Sequence, residues 1–430
     1  MSRFSRLASS SSSSSDDDKD EELFIALQQA HSQYQAMQVP RWGGSVPGRQ
    51  YVHRDREAGH WRLYNDYFSD APTYGANFFR HRFRMNRDLF LRIAQAIEQH
   101  DNYFKQKRDR NGRLGLSCLQ KVTAAFQMIA YGVAVDFMDQ YVRSAESTNI
   151  ESLRRFAKAV VEVYGYEYLR SPNEEDTARL LAIGESRGFP GMLGSIDCMH
   201  WGWKNCPAAW QGQYTDHAHE PTIILEAVAS KDLWIWHAFF GLAGSHNDIN
   251  VLHRSHLFAK LAEEEAPQVN YTVNGHNYTM GYYLADGIYP QWATFVKTIP
   301  QPLGNKRKYF AKAQEAVQKD VERAFGVLQS RFAIVRGPAR FWDKDTLRQI
   351  MIACVIMHNI IIEDERDEDE QMQYEYVGQL VRPTPREVRN RTPELHDFLQ
   401  AHNNIRNRET HSQLQEDLVE HLWQRHADMY

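Results

Sequence analysis

Little in this chain points to export, to a membrane or to nucleotide-loop chemistry. Its 430 residues include four cysteines, at 118, 198, 206 and 354. These are too few and too scattered for a disulfide framework, which fits a reducing compartment. No uninterrupted run of about 18 apolar residues occurs, so neither a transmembrane helix nor a membrane partner is expected. The opening Met1-Ser2-Arg3-Phe4 has no apolar stretch of the secretory kind. Neither a Gly-rich nucleotide loop nor a Gly-x-Ser-x-Gly elbow is found. The formal net charge of −5 argues against a uniformly basic nucleic-acid binder, but not against local basic patches. With 42% hydrophobic and 24% charged residues, what remains is a globular protein with polar tails and room for two or three domains.

Four stretches follow one another. Residues 1–50 read as a mostly disordered tail, because the serine run Ser9–Ser15 passes into the acidic Asp16–Glu22, which has nothing to bury. Residues 51–185 read as a helical, helix-turn-helix-like region for DNA. Its aromatic-basic run Phe78–Arg87, followed by Lys105, Lys107, Arg108, Arg110 and Arg113, suits a phosphate backbone. A surface helix with an aromatic inner face would look the same. Leu119, Val122, Phe126 and Ile129 recur at helical steps up to Tyr131-Gly132. A short segment at 136–140 and a third helix over 147–163 complete a pattern compatible with a helix-turn-helix or with any three-helix bundle.

Residues 186–365 turn β-rich. Strands are expected up to Ile196, at 222–229, 233–240, 282–284 and 295–297, with a helix from about 247 and a long one over 310–331. Three strands, a helix, two more strands and a long helix match an RNase H-like mixed sheet, so the fold class is α/β with an all-α region in front. Residues 366–430 read as an acidic and polar linker, around Pro383–Pro385, leading to an amphipathic helix lined by Leu414, Leu418 and Leu422.

Four carboxylates stand in unusual settings. Asp197 and Asp286 each end an apolar run, Glu322 interrupts the long amphipathic helix, and Asp248 follows Gly244-Ser245-His246-Asn247. Oxygen ligands of this kind suit Mg²⁺ or Mn²⁺. Two such ions about 3.5–4 Å apart can hold the attacking and leaving oxygens of an in-line phosphoryl displacement. Asp197, Asp286 and Glu322 are the expected catalytic set, with Asp248 as a fourth metal ligand. Separately, each has an ordinary alternative: Asp248 or Asn247 as a helix cap, Asp286 as a turn residue, Glu322 as a helix carboxylate paired with Lys319 or Arg323. Cys198, His200 and Cys206 lack the second pair that a zinc site needs. His358 reads as a hydrogen-bonded core histidine. Trp201, Trp203 and Trp210 could stack on unpaired bases or pack internally.

Long blocks carry a family resemblance. GSIDCMHWGWKNCPAAWQGQYT (194–215), PTIILEAVASKDLWIWHAFFGLAGSHNDINVL (221–252), GYYLADGIYP (281–290) and KDVERAFGVLQSRFAIVRGPAR (319–340) resemble plant PIF/Harbinger transposases. The resemblance implies a DDE-type, divalent-metal-dependent nuclease that hydrolyses phosphodiesters at transposon ends and joins the 3′-hydroxyl to an A/T-rich target. It assigns the family's acids to Asp197, Asp286 and Glu322, with Asp248 in the SxxD block. The expected partners are DNA bearing terminal inverted repeats, a Myb-like DNA-binding protein and further copies of the chain. The expected location is the nucleus, or the cytoplasm until a partner imports it. The resemblance also admits a domesticated nuclear protein that binds DNA or chromatin without cutting. Thr215–Glu220 departs from the pattern in being acidic and histidine-rich.

Overall fold

Helical periodicity governs the chain up to Ser186, and an alternating, apolar pattern takes over at Met192. The computed structural model describes residues 52–257, 269–374 and 404–427, the side chains of 367–374 excepted. The serine-rich head and the Pro383–Pro385 linker lie outside the described residues. Helices α1 (Arg56–Tyr67), α2 (Ala76–Phe83) and α3 (Arg87–His100) lead to α4 (Cys118–Tyr131), α5 (Phe137–Val142), α6 (Glu146–Tyr168) and α7 (Glu174–Ser186). Their ends are written in local chemistry. Ser117 and Gln120 form a capping box at the start of α4, and Gly132 closes it at φ 61°. Asn173 and Asp176 do the same for α7.

The basic residues of the aromatic-basic stretch divide into two groups. Phe79 and Phe83 are buried and stack with ring centroids 4.3 Å apart. Arg82 is held by Tyr67 and lies over the Tyr74 ring, and Arg80 pairs with Glu365. Those cations are engaged within the fold. Residues 105–113, by contrast, form an exposed loop closed by an Arg108–Leu114 bridge, with Lys105, Lys107 and Arg110 on its surface.

The sheet is mixed. Strands β1 (Met192–Gly202), β2 (Thr222–Ala229) and β3 (Ile235–Ala243) are followed by the hairpin β4 (Tyr271–Val273) and β5 (His276–Tyr278), then by β6 (Tyr282–Ala285) and β7 (Phe295–Lys297). The five-stranded order is β3-β2-β1-β6-β7, with β2 antiparallel to β1 and β3, and β1, β6 and β7 parallel. Between the strands lie α8 (Ala208–Tyr214) and α9 (Asp248–Arg254); α10 (Asn305–Arg331), α11 (Ala333–Arg336) and α12 (Lys344–Tyr374) come after them. One core joins the leading helices to the sheet: Phe126 of α4 meets Phe332 edge-on, and α6 packs on α12.

By length and composition the 344–366 part of α12 could cross a membrane, but 72% of its most apolar window is buried in this core. Helix α13 (Arg408–Ala427) docks on the body. Its Leu414, Leu418 and Leu422 pack on Phe189, Phe310 and Val317, flanked by Lys306–Glu420 and Arg307–Glu416 pairs at 2.6 and 2.7 Å.

Candidate acidic centre at the open edge of β1

Strand β1 does not stop at Ile196. It runs through Asp197 to Gly202 because β2 pairs with it all the way, from Ser195 opposite Ala229 to Gly202 opposite Thr222. The expected end of this strand at Ile196 is corrected accordingly. What ends there is the other neighbour: parallel pairing with β6 stops at Ser195–Leu284. Continuing that register by two residues sets Asp197 level with Asp286, the residue just past the end of β6. Both carboxylates therefore lie where two parallel strands separate, a crevice that open α/β sheets use for ligands.

Two helices bring the other acids. Gly244 donates its amide to the Thr222 carbonyl at 2.9 Å. A Cβ on Gly244 would fall 1.9 Å from Thr222 Oγ1, so only glycine permits this approach. The turn then delivers Asp248 as the first residue of α9. The cap is Asn247, whose side chain accepts from the Asn250 amide at 3.0 Å, so Asp248 is free of that duty. Glu322 rides on α10, which is tied to the sheet by Ser195 Oγ donating to the Val317 carbonyl at 3.3 Å. Gln314 Nε2 donates to the Ala285 and Val296 carbonyls at 3.2 and 3.4 Å.

The four acids share one electrostatic field. Burial pushes the Asp197 carboxyl up to about 7. The Cys198 amide, 2.8 Å from Oδ1, opposes that shift, and repulsion from Asp286, Asp248 and Glu322 adds to it. Asp286 is raised by burial, then by Asp248 and Glu315. Burial also raises Asp248, against the Cys198 and His200 side chains, and Glu226 contributes further. Among the described residues none of the four acids pairs with a cation. Arg323, beside Glu322, turns instead to the buried Asp320, which also binds Arg187.

Repelling carboxylates on four elements with no protein cation among them fit a hard divalent ion. Among the described residues no three His, Cys, Asp or Glu side chains converge closely enough to hold a metal by themselves. An ion such as Mg²⁺ needs only one or two direct carboxylates and keeps several waters. The remaining candidates disperse. Cys198 Sγ lies 3.6 Å from Tyr289 OH, His200 Nδ1 lies 2.9 Å from Thr222 Oγ1, and Cys206 Sγ faces the Pro207 carbonyl. Trp201 and Trp203 are core, donating to the Gly337 and Phe341 carbonyls. Trp210 is partly exposed, with Lys344 over its ring.

Glu226 and Glu315 were not among the expected site residues. The signal for Glu226 was an acid at the middle of an apolar strand. Glu315 lies seven residues before Glu322 on α10, two helical turns along the same side.

Residues 166–369 match the family described as Plant transposon protein, a segment that contains all four carboxylates. By this segment the chain is similar to plant transposon proteins of the PIF/Harbinger type. Residues 59–98 match a domain of unknown function. Protein ALP1-like of Arabidopsis thaliana is 24% identical over 297 residues, covering 66% of this chain and 70% of that protein. No solved structure matches. The matched segment thus spans the sheet, α10 and most of α12, while α1–α5 and α13 lie outside it.

Proposed function

We propose that this chain is a divalent-metal-dependent DNA endonuclease of the DDE transposase kind, cutting at transposon ends and joining the freed 3′-hydroxyl to target DNA. The observation that carries the reading is the placement of Asp197 and Asp286 where β1 and β6 part, with Asp248 on α9 and Glu322 on α10 near enough to act on Asp197. The strand order β3-β2-β1-β6-β7, with only β2 running against the rest, supports an RNase H-like reading of the sheet. Mg²⁺ or Mn²⁺ held among these acids by one or two direct carboxylates and by water would supply Lewis-acid activation of a water or 3′-hydroxyl and neutralise charge developing on the phosphate. The chain's own contribution is positional. Pairing along β1 fixes Asp197, the β6 turn fixes Asp286, Asn247 caps the helix that carries Asp248, and Gln314 anchors the helix that carries Glu322.

The substrate side is read from the exposed loop. Lys105, Lys107 and Arg110 project from the helical region without burying their charge, which suits phosphate contacts. Converting all three to alanine is expected to lower DNA affinity on any sequence. The slope of log affinity against log salt should fall by about 2–3, since each lost contact removes about 0.9. An unchanged slope would remove this loop from the interface. A Myb-like partner would supply the rest of the end recognition, and action on chromosomal DNA would place the chain in the nucleus.

The direct test is strand cleavage of duplexes bearing the element's terminal inverted repeats, with Mg²⁺ or Mn²⁺ and with the partner supplied. Cleavage by the native chain and none by Glu322→Gln supports the proposal. Binding without cleavage by the native chain, under every cation and partner condition, rejects it in favour of a DNA-binding regulatory protein.

A further inference from the structure

Strand β2 is buried along its whole length, and at its centre stands one acid, Glu226, with 0% exposure. Among the described residues no hydrogen bond reaches either of its carboxylate oxygens. His237 Nε2 lies 3.3 Å from Oε1, but it also lies 3.0 Å from Ser255 Oγ, and nothing addresses Oε2. The register sets Glu226 opposite Cys198 and so on the Cys198 face of the sheet, with Asp197 on the other face. Its charge is felt by Asp248, by the Cys198 thiol and by the Tyr289 hydroxyl, all of which it pushes upward.

Burying a carboxylate without hydrogen bonds is costly unless a positive charge compensates it. A strand buried on both faces would be better served by leucine or glutamine at this position. Glu226 acts on Asp248, and Asp248 in turn acts on Asp197 and Asp286, so Asp248 links the buried acid to the rest of the centre. Low polarity around β2 strengthens the action of the Glu226 field on any cation nearby.

We propose that Glu226 is a positioning residue of the acidic centre: acting through Asp248, its buried carboxylate adds a further negative charge that draws a divalent cation to the Asp248 side. The inference rests on the reading of the centre as a divalent-cation site. Glu226 raises the free energy of the cation-free protein by repelling Asp248, and cation binding relieves that repulsion. Stability without cation and affinity for cation should therefore move in opposite directions when Glu226 is neutralised. A carboxylate kept only as the structural partner of His237 would behave differently: its loss would lower stability and leave cation affinity alone.

The experiment is Mn²⁺ titration of the full chain by electron paramagnetic resonance, with melting temperatures measured in chelator. The native chain is expected to bind Mn²⁺, and Asp197→Asn to lose that binding. Glu226→Gln is expected to bind about 10-fold more weakly or worse, the usual cost of losing an outer-shell partner, while melting no lower than the native chain in chelator. Equal Mn²⁺ affinity together with a lowered melting temperature in Glu226→Gln overturns the role of Glu226 but leaves the centre standing. Absence of Mn²⁺ binding by the native chain overturns both.

His237→Gln provides an independent arm should Glu226→Gln not fold. It keeps the acid and removes the imidazole facing it, so Mn²⁺ affinity equal to or tighter than native is expected. A loss of Mn²⁺ affinity in His237→Gln would show that the pair, not the carboxylate, matters, and would overturn the proposal.

Discussion

Asp197→Asn should reduce divalent-cation-dependent DNA cleavage by about 10²–10³-fold or more, the scale lost when a charge-stabilising group is removed from a reacting phosphate, while making the cation-free protein more stable. The two effects have one origin. Asp197 is the acid on which the fields of Asp286, Asp248 and Glu322 meet, and burial with that repulsion raises its carboxyl to about 7. In the unfolded chain the same carboxyl titrates near 3.9. The folded protein therefore holds a proton that the unfolded chain has released. The stability due to that proton is complete below about pH 4 and is lost as pH rises through about 7. Asparagine is uncharged at every pH. The difference in melting temperature between Asp197→Asn and the native chain in chelator should be near zero at pH 4 and should grow up to pH 8. Adding Mn²⁺ should then raise the melting temperature of the native chain but not of the variant. Native-like cleavage by Asp197→Asn would end the catalytic reading, whatever the melting data show.

The positions of the acids were legible because each interrupts a strong local pattern. An apolar run that breaks at Asp286, before Gly287 and Pro290, can only be a strand entering a turn. Glu322 on an amphipathic helix is equally visible. The extent of β1 was not legible. Alternation beyond Ile196 is carried by Met199 and Trp201, with Cys198 before them and His200 between them, and this stretch looks irregular until β2 is known to pair with all of it. Whether a strand continues depends on its partner, and partners are distant in sequence.

The hairpin β4–β5 was passed over although its turn is local. Asn274 and Gly275, at φ 49° and 84°, are the Asn-Gly pair that favours a two-residue hairpin. Three-residue strands on either side are too short to show a period. Glu226 was overlooked for the opposite reason: its strand was so plainly apolar that one acid within it did not disturb the assignment. The sharing of duties between Asn247 and Asp248 needed coordinates, since both residue types cap helices and only hydrogen-bond geometry tells them apart.

The steepest acid sensitivity of the fold should come from His358. The sequence marks it as a core histidine in Ile356-Met357-His358-Asn359-Ile360, and the structure agrees: its Nε2–H donates to the Leu233 carbonyl at 2.9 Å, linking α12 to the approach to β3. Donation from Nε2 leaves Nδ1 as the acceptor, and Arg331 Nη1 stands 3.4 Å from it. Burial, helped by the Arg331 charge and opposed by the Leu233 hydrogen bond, lowers the imidazole to about 3. Above about pH 6.5 the ring is neutral both folded and unfolded, so the stability of this contact is complete there. As pH falls, the unfolded chain takes up a proton that the folded one refuses, and stability is lost at about 1.4 kcal/mol per pH unit. Between pH 6.5 and 4.5 the loss reaches about 3 kcal/mol, a large share of the 5–15 kcal/mol typical of a domain. Buried His411 is lowered in the same direction and adds to the slope. Denaturant unfolding of His358→Gln, whose amide can still donate to Leu233, should show a lower midpoint than native at pH 8. Its slope of stability against pH should be shallower by one proton below pH 6.5. A variant as acid-sensitive as the native chain would mean that His358 is protonated in the fold and that another group carries the acid transition.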